Sequence, residues 1–470
     1  MRFFLLFLLL LTACNPLRPS SLKLPALPQT YATEQTGTMT QLSEHWWEDF
    51  NDPQLNQLQQ QLFSNNLNLR QALYRLQQLE ALRKISGASL SPQLNLSGSL
   101  SRDQSPSITG DTRSTSRLYS LAASYEIDLW NKLRDTNKAA ELRLQAGESD
   151  VQALLLSLSA QLTEQYFLAV EQQAQLQLLR QQSVLKADFL QTVTERYRAG
   201  LATATDVYQA QQNLAVIQTQ IPDRQTALIQ AENSIALLLG QLPGSVAITR
   251  VELPQLNNVV DIGLPADLLA RRPDVTETFL QLQAADHELA AALAEKLPTI
   301  SISATLGRSA THLASGDVEG TFWNLLLGAA QPLIDGGRRQ AATEQQKAVR
   351  AEKLATYQHT LLTAFQEVES SLVAEKNSIV KATRLEHQRW INQKNLQLTQ
   401  DNYLYGLTES RDLLLIQMTQ LEILGQQLSH RQQQISQRIT LARALGGSWM
   451  AEKVKQQQQI LKQEQDGTND

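Results

Sequence analysis

Tyr119-Ser120-Leu121-Ala122-Ala123-Ser124-Tyr125-Glu126-Ile127-Asp128-Leu129 is the stretch on which the fold turns. Tyr119, Leu121, Ala123, Tyr125, Ile127 and Leu129 fall on one face, and Ser120, Ser124, Glu126 and Asp128 on the other. A period of two over this length marks a strand with an apolar and a polar side. The length also suits a tilted strand crossing a bilayer, which needs roughly 9–11 residues. Residues 93–100 and 299–306 alternate in the same way, and residues 322–331 do so less cleanly, with Trp323, Leu325 and Leu327 on one side. Strands are therefore expected at about 92–101, 119–129, 298–307 and 322–332. The intervening stretches, 102–118 and 308–321, are rich in Ser, Thr, Gly and Asp and read as exposed loops.

Outside these segments the period changes. Val151, Leu155, Leu158, Leu162, Tyr166 and Ala169 follow steps of three and four, as do Leu354, Tyr357, Leu361, Phe365, Val368 and Leu372. No proline occurs between Pro106 and Pro222, and none after Pro332. Long helices are expected at about 131–199 and 338–402, each roughly 100 Å at 1.5 Å per residue. Such length with sustained three-four spacing suggests coiled-coil-like packing. Pro222 should bend the helix that returns from the first rod.

The two halves repeat. Pro92 and Pro298 each precede an alternating strand, and 298 − 92 = 206. The same offset relates Tyr197 to Tyr403, Gly200 to Gly406, Leu201 to Leu407, Asp206 to Asp412 and Gly240 to Gly446. Each half reads helix, strand, loop, strand, long helix, turn, helix. The first repeat is placed at residues 46–248, the second at 249–447, and a flexible, Gln- and Lys-rich tail at 448–470. Four strands cannot close a barrel, for which about eight is the minimum, and lipid does not tolerate open sheet edges. Strands that enter a membrane here must share a barrel with other copies. The expected fold class is mainly α with a small β part: a long helical barrel continuous with a transmembrane β-barrel, four strands per chain, completed by oligomerisation.

The N-terminus points to export. Met1-Arg2 precedes an apolar run from Phe3 to Leu11, which ends Leu11-Thr12-Ala13-Cys14. That is a secretory signal, too short to span a bilayer. Cys14 is the sole cysteine, so no intramolecular disulfide can form. Leu-Thr-Ala-Cys resembles a bacterial lipobox, in which the cysteine becomes the lipidated first residue; a simple signal with a coincidental cysteine is the other reading. Asn15, where this lipoprotein class carries Asp for inner-membrane retention, implies outer-membrane sorting. Residues 14–45 contain Pro16, Pro19, Pro25 and Pro28 and read as an extended tether. The net charge of −5 argues against a nucleic-acid partner. The six histidines lack metal-ligand spacing and there is no Gly-rich phosphate loop, so no enzyme, cofactor or metal site is expected.

Several motifs resemble the TolC-like outer-membrane factors, in the lipoprotein branch that serves RND-type multidrug pumps. They are Trp46-Trp47-Glu48-Asp49-Phe50-Asn51-Asp52-Pro53, Tyr125-Glu126-Ile127-Asp128-Leu129-Trp130-Asn131-Lys132, Arg271-Arg272-Pro273-Asp274, Leu297-Pro298 and Pro332-Leu333-Ile334-Asp335-Gly336-Gly337. The resemblance implies a homotrimer with a 12-stranded barrel and a 12-helix periplasmic tube. It further implies a periplasmic membrane-fusion adaptor and an inner-membrane pump, with substrates leaving by a passive conduit. A coiled-coil lipoprotein that tethers the outer membrane without a pore is the alternative; it needs neither strands nor repeat. By the resemblance, Gly200, Leu201, Gly406 and Leu407 form the adaptor-docking tip, and the bare geometry requires only turns there. Thr203 or Thr205, and Thr408 or Ser410, can cap the helices that follow. Asp412 fits either an acidic pore constriction or a charge complementing a helix N-terminus. Many members carry Leu-Asp-Ala-Gln shortly beyond the second glycine, where this chain has Leu414-Leu415-Ile416-Gln417, leaving Asp412 as the nearby acid.

Overall fold

The computed structural model describes residues 39–40, 45–106, 108, 111–256, 259–260, 272–313, 316–447 and 449–466. The expected signal segment, Cys14, most of the linker and Arg271 lie outside the described residues. In chain order come β1 (Met39–Thr40), a 3-10 turn (Trp46–Phe50), α1 (Pro53–Asn65), α2 (Leu67–Ala88), β2 (Gln93–Ser105), β3 (Thr112–Ile127), α3 (Lys132–Arg198) and α4 (Ala204–Leu238). The second half supplies β4 (Val259–Val260), α5 (Pro273–Ala294), β5 (Thr299–Leu313), β6 (Gly316–Ala330), α6 (Arg338–Leu404) and α7 (Ser410–Leu445), and α8 (Trp449–Asp466) ends it. The repeat is carried by the helices almost residue for residue. The starts of α2 and α5 differ by 273 − 67 = 206, those of α3 and α6 by 338 − 132 = 206, and those of α4 and α7 by 410 − 204 = 206.

The four long strands form one antiparallel sheet in the order β2-β3-β5-β6. They are longer than expected, at 13, 16, 15 and 15 residues. Most of the two polar stretches read as loops is strand: Arg102 to Ser105 pair with Thr112 to Thr115, and Arg308 to Leu313 pair with Gly316 to Thr321. Ladder hydrogen bonds come from the backbone, so pairing runs on past the point where apolar side chains stop.

The chain divides into two compact units. The first, in its described residues, is built from Tyr74–Ser149 and Val275–Thr360 and holds the sheet. There α5 packs on the first turns of α3, with Ala284 and Leu280 against Ala139 and Leu142. His287 Nδ1 lies 2.7 Å from Asp135 Oδ1, and Arg350 pairs with Asp286. Trp130 Nε1 donates to the Pro298 carbonyl at 2.7 Å, tying the end of β3 to the start of β5.

The second unit holds the remaining helical parts. One end is an aromatic cluster in which Trp47, Phe63 and Trp449 stack edge-on or tilted, with Trp47 and Trp449 centroids 4.9 Å apart. This corrects the expected flexible tail. Residues 449–466 form α8, because Trp449, Met450, Val454 and Leu461 bury one face of a segment whose other face is Gln and Lys. Beside the cluster, buried Asp52 caps α1 through Oδ1, accepting from Gln54 N and Leu55 N, while Pro53 takes the first helical position. Its Oδ2 accepts from the Tyr166 hydroxyl and from Arg250 Nη1, both at 2.6 Å. Burial, together with the Asp52 bond, pushes the Tyr166 phenol far above its ordinary value, so it stays a neutral donor.

Polar bonds order the long helices of this unit. Arg224 of α4 reaches Gln172 of α3; Gln175 of α3 reaches the Gly425 carbonyl and Ser429 of α7; Arg438 of α7 reaches Glu375 of α6. The order is α4-α3-α7-α6, with α4 and α6 outermost. α4 runs through Pro222 without a break.

Asp52→Ala removes a cap, a phenol acceptor and an arginine partner from one buried position. We expect a loss of about 3 kcal/mol, read as a lowered midpoint in thermal unfolding followed by tryptophan fluorescence, since Trp46, Trp47 and Trp449 lie in the adjoining cluster.

Candidate functional site: a two-faced sheet and two helical tips

The register sorts the sheet into two chemistries. Leu94 and Leu96 of β2 align with Ala123 and Leu121 of β3, these with Ala304 and Leu306 of β5, and these with Leu325 and Trp323 of β6. Ile302 and Leu327 continue the band, and Leu96, Trp323 and Leu325 are largely exposed. On the opposite face Ser97 and Ser120 share a hydrogen bond of 2.8 Å, and Ser116 and Thr311 one of 3.2 Å. Ser99, Ser101, Ser124, Ser303 and Thr305 lie on that face too. Leu118, Val318, Phe322 and Leu326 interrupt it, and Phe322 covers Gly307, where a Cβ would stand 2.6 Å from the Phe322 ring. An exposed apolar band backed by a hydroxyl-lined face is what a strand set between lipid and water requires. Among the described residues no helix is long and apolar enough to cross a membrane.

The two helical tips are built alike up to the turn. Leu201 N donates to the Arg196 carbonyl and Gly200 N to that of Tyr197; Leu407 N donates to Asn402 and Gly406 N to Tyr403. Both are six-to-one closures around a glycine, at φ +76° for Gly200 and +71° for Gly406. Leu201 and Leu407 stand 70% and 72% exposed, although this position ordinarily packs back on its helix.

After the turn the tips diverge. Thr203 and Asp206 form a complete capping box on α4: Asp206 N donates to Thr203 Oγ1, and Thr203 N and Oγ1 both donate to Asp206 Oδ2. Bonds from the Thr203 backbone and hydroxyl hold the Asp206 carboxyl below the usual carboxylate range. At the repeat-related position, 203 + 206 = 409, Glu409 is the N-cap of α7 and makes no side-chain cap bond. The expectation that Thr408 or Ser410 caps α7 is thus corrected; the Thr408 hydroxyl is buried without a partner among the described residues. Asp412, freed of the cap, has its carboxylate 3.7 Å from the Arg411 guanidinium, and both are well exposed. Cys14 lies outside the described residues.

The Arg-Arg-Pro-Asp motif acquires a physical reason. Arg272 is buried and donates to both Asp274 oxygens, to Glu367 Oε2 at 2.7 Å and to the Ala444 carbonyl at the end of α7. Burial alone would lower its pKa, but the two carboxylates outweigh that and raise it. Sequence reasoning missed the first-half equivalent. Asn66, at 272 − 206 = 66, donates to the Leu238 carbonyl at 2.7 Å, and 444 − 206 = 238. The repeat offset, applied to Arg272, would have found it.

A sheet with an apolar and a hydroxyl face, set in a duplicated chain of long paired helices, defines an outer-membrane channel protein. The profile of the family described as outer membrane efflux protein matches residues 58–241 and 264–447, again a separation of 264 − 58 = 206, and the chain belongs to that family. It is 31% identical over 445 residues to the toluene efflux pump outer membrane protein TtgF of Pseudomonas putida, covering 90% of each chain. It is 30% identical over 430 residues to the pyoverdine export outer membrane protein OpmQ of Pseudomonas putida, covering 87% of this chain and 89% of that one. Among solved structures, the outer-membrane channel OprN superposes with a TM-score of 0.81 at 25% identity, over 91% of this chain and 99% of that one.

Thr203→Ala should speed amide hydrogen exchange at the first turn of α4 by about fivefold, while the first turn of α7, which has no such bond to lose, keeps its wild-type rate. Because the folded-state pKa of Asp206 is depressed, the stability it lends is present at neutral pH. It is lost progressively as pH falls from the ordinary carboxylate value through the lowered folded-state value. Exchange at α4 measured down an acid series checks the sign.

Proposed function

We propose that the chain is the outer-membrane conduit of a tripartite export assembly. Three copies complete a 12-stranded barrel and a 12-helix tube, anchored by lipid on Cys14 and extending into the periplasm. The observation that carries the reading is the open sheet. β2 and β6 each have one unpaired edge, the band between them is apolar, and lipid offers no partner to a free amide. Joining β6 of one copy to β2 of the next removes every edge. The hydroxyl face then lines a water-filled passage.

The tips at Gly200–Leu201 and Gly406–Leu407 dock the periplasmic membrane-fusion adaptor, which links the conduit to an inner-membrane pump of RND type. Their exposed leucines, joined by Leu404 and Tyr405 in the second, supply an apolar contact at each tip. Asp412 narrows the passage for anions at the same end, as a ring of like carboxylates unengaged in capping. No catalytic step is assigned to the chain. The named relatives differ in cargo, toluene for one and pyoverdine for the other. A wall of serine and threonine hydroxyls has no means of choosing between such cargoes, so selection belongs to the pump.

Planar-bilayer recording of the purified oligomer, with crosslinking to count subunits, tests the reading. Steady single-channel currents from a trimer are expected; a soluble monomer without current would overturn it. Leu325→Arg, on the apolar band, should cost about 2–4 kcal/mol near the midplane and sharply lower the yield of inserted trimer. Asn324→Arg, one residue along on the other face, should leave insertion intact. Asp412→Ala should raise conductance and reduce cation preference; unchanged values would remove it from the constriction.

A further inference from the structure

The apolar band ends, toward the hairpin connections, in a run of arginines on the same face. Arg102 is opposite Thr115, Leu100 opposite Arg117, Gln104 opposite Arg113 and Arg308 opposite Tyr119. The strand period of two puts Arg113, Thr115, Arg117 and Tyr119 on one face with Arg102 and Arg308. Arg102 is therefore the diagonal neighbour of both Arg113 and Arg117, and Arg117 is the diagonal neighbour of Arg308. Diagonal neighbours on a sheet lie within about 7–8 Å. Four guanidiniums thus zigzag over three strands, all exposed, at the edge of the surface that meets lipid.

The protein neutralises only part of this charge. Arg308 pairs with Glu319, and His312 pairs with Asp317. Arg113 Nε donates to Gln104 Oε1 at 3.1 Å, and Gln104 in turn donates to Asp111. Among the described residues no carboxylate pairs with Arg102 or Arg117; Asp103, the nearest acid in sequence, points to the hydroxyl face. Adjacent like charges on a sheet repel, and a bound anion removes that cost. Tyr119 lies over Gly98 between the arginines and the band, a ring with one apolar and one wet end at the depth of a membrane interface.

We infer that Arg102 and Arg117, flanked by Arg113 and Arg308, form a binding site for a phosphate-bearing lipid headgroup of the outer leaflet, whose acyl chains lie along the Leu100, Leu96 and Leu94 band. The inference rests on the reading of the sheet as a membrane barrel wall, with the hairpin connections outward. Planar, forked guanidiniums suit phosphate oxygens, and the apolar band accounts for the chains, so the occupant is a lipid and not free phosphate.

Native mass spectrometry of the full-length oligomer in detergent tests it. The probe is lipid A with its phosphates, compared with the same lipid after phosphatase treatment. The wild type should retain the phosphorylated lipid about tenfold better. The R102Q/R117Q variant should hold both forms at the lower level, and R102K/R117K, which keeps charge without the fork, should fall between. Charge-matched R83Q/K84Q on α2 should behave as wild type. Equal retention of both lipids by the wild type, or an undiminished preference in R102Q/R117Q, overturns the site. Dissociation of R102Q/R117Q into monomers that keep the phosphate preference also overturns it, and assigns the arginines to the edge of β6 in another copy. Failure of the barrel reading would show separately, as a wild type that neither floats with vesicles nor carries current in a bilayer.

Discussion

A backbone amide in hydrocarbon has no solvent to fall back on, and leaving one unpaired costs several kcal/mol. The sheet β2-β3-β5-β6 pairs every interior strand but ends in two edges, each carrying half a ladder of free groups over 13 to 15 residues. No rearrangement within one chain removes both. The helical unit has the same open-ended order, α4-α3-α7-α6, and its outer members expose apolar groups, Val216 and Ile229 on α4 and Leu362, Val380 and Trp390 on α6. Unsatisfied edges of two kinds, hydrogen-bonding in the sheet and apolar in the helices, call for the same remedy, a cyclic arrangement of copies. In such an arrangement the apolar and hydroxyl faces of the strands become outside and inside.

The duplication fixes the frame and leaves the chemistry free to diverge. Three helix starts keep the 206-residue offset, yet the contacts that lock the frame differ in kind. In the first half a neutral amide, Asn66, bonds the last carbonyl of α4 and caps α2 through Leu69 N. In the second half Arg272 makes the equivalent bond to α7, and a buried guanidinium is tolerable only with carboxylates beside it. Asp274 and Glu367 supply them, where the first half has Asn68 and Gln161. The three charged residues therefore stand or fall together, which explains why the motif reads so sharply in sequence while its neutral counterpart does not.

What could be read from sequence follows the range of the interactions involved. The long helices were legible to within two residues, because three-four spacing and the absence of proline act locally. The strand cores were legible by alternation, but their ends were not: beyond residue 101 and residue 307 the ladder continues through Ser, Thr and Arg, whose side chains no longer report burial. The tail was misjudged because its composition is polar, whereas four apolar residues, led by Trp449 in a cluster nearly 400 residues away in the chain, suffice to dock it. Asp52-Pro53 announces a helix start, but nothing local announces that the same carboxylate also receives Tyr166 and Arg250.

The two tips show the same pattern of a shared frame with divergent chemistry. Up to the glycine they are the same turn, closed by the same pair of bonds, since a left-handed glycine and a six-to-one closure are the compact way to end a long helix. One residue pair then separates them. Thr203 and Asp206 consume each other's hydrogen-bonding capacity, so the first tip presents a fixed, self-satisfied surface. Glu409 makes no side-chain cap bond, and as a carboxylate it sets a like charge against the acid three residues on where Thr203 offers a hydroxyl proton. Among the described residues Asp412 is left with a loose contact to Arg411. A charge not committed to its own backbone is the one whose surroundings can change without unmaking a helix. The second tip, not the first, therefore carries the acid that is free to change partners.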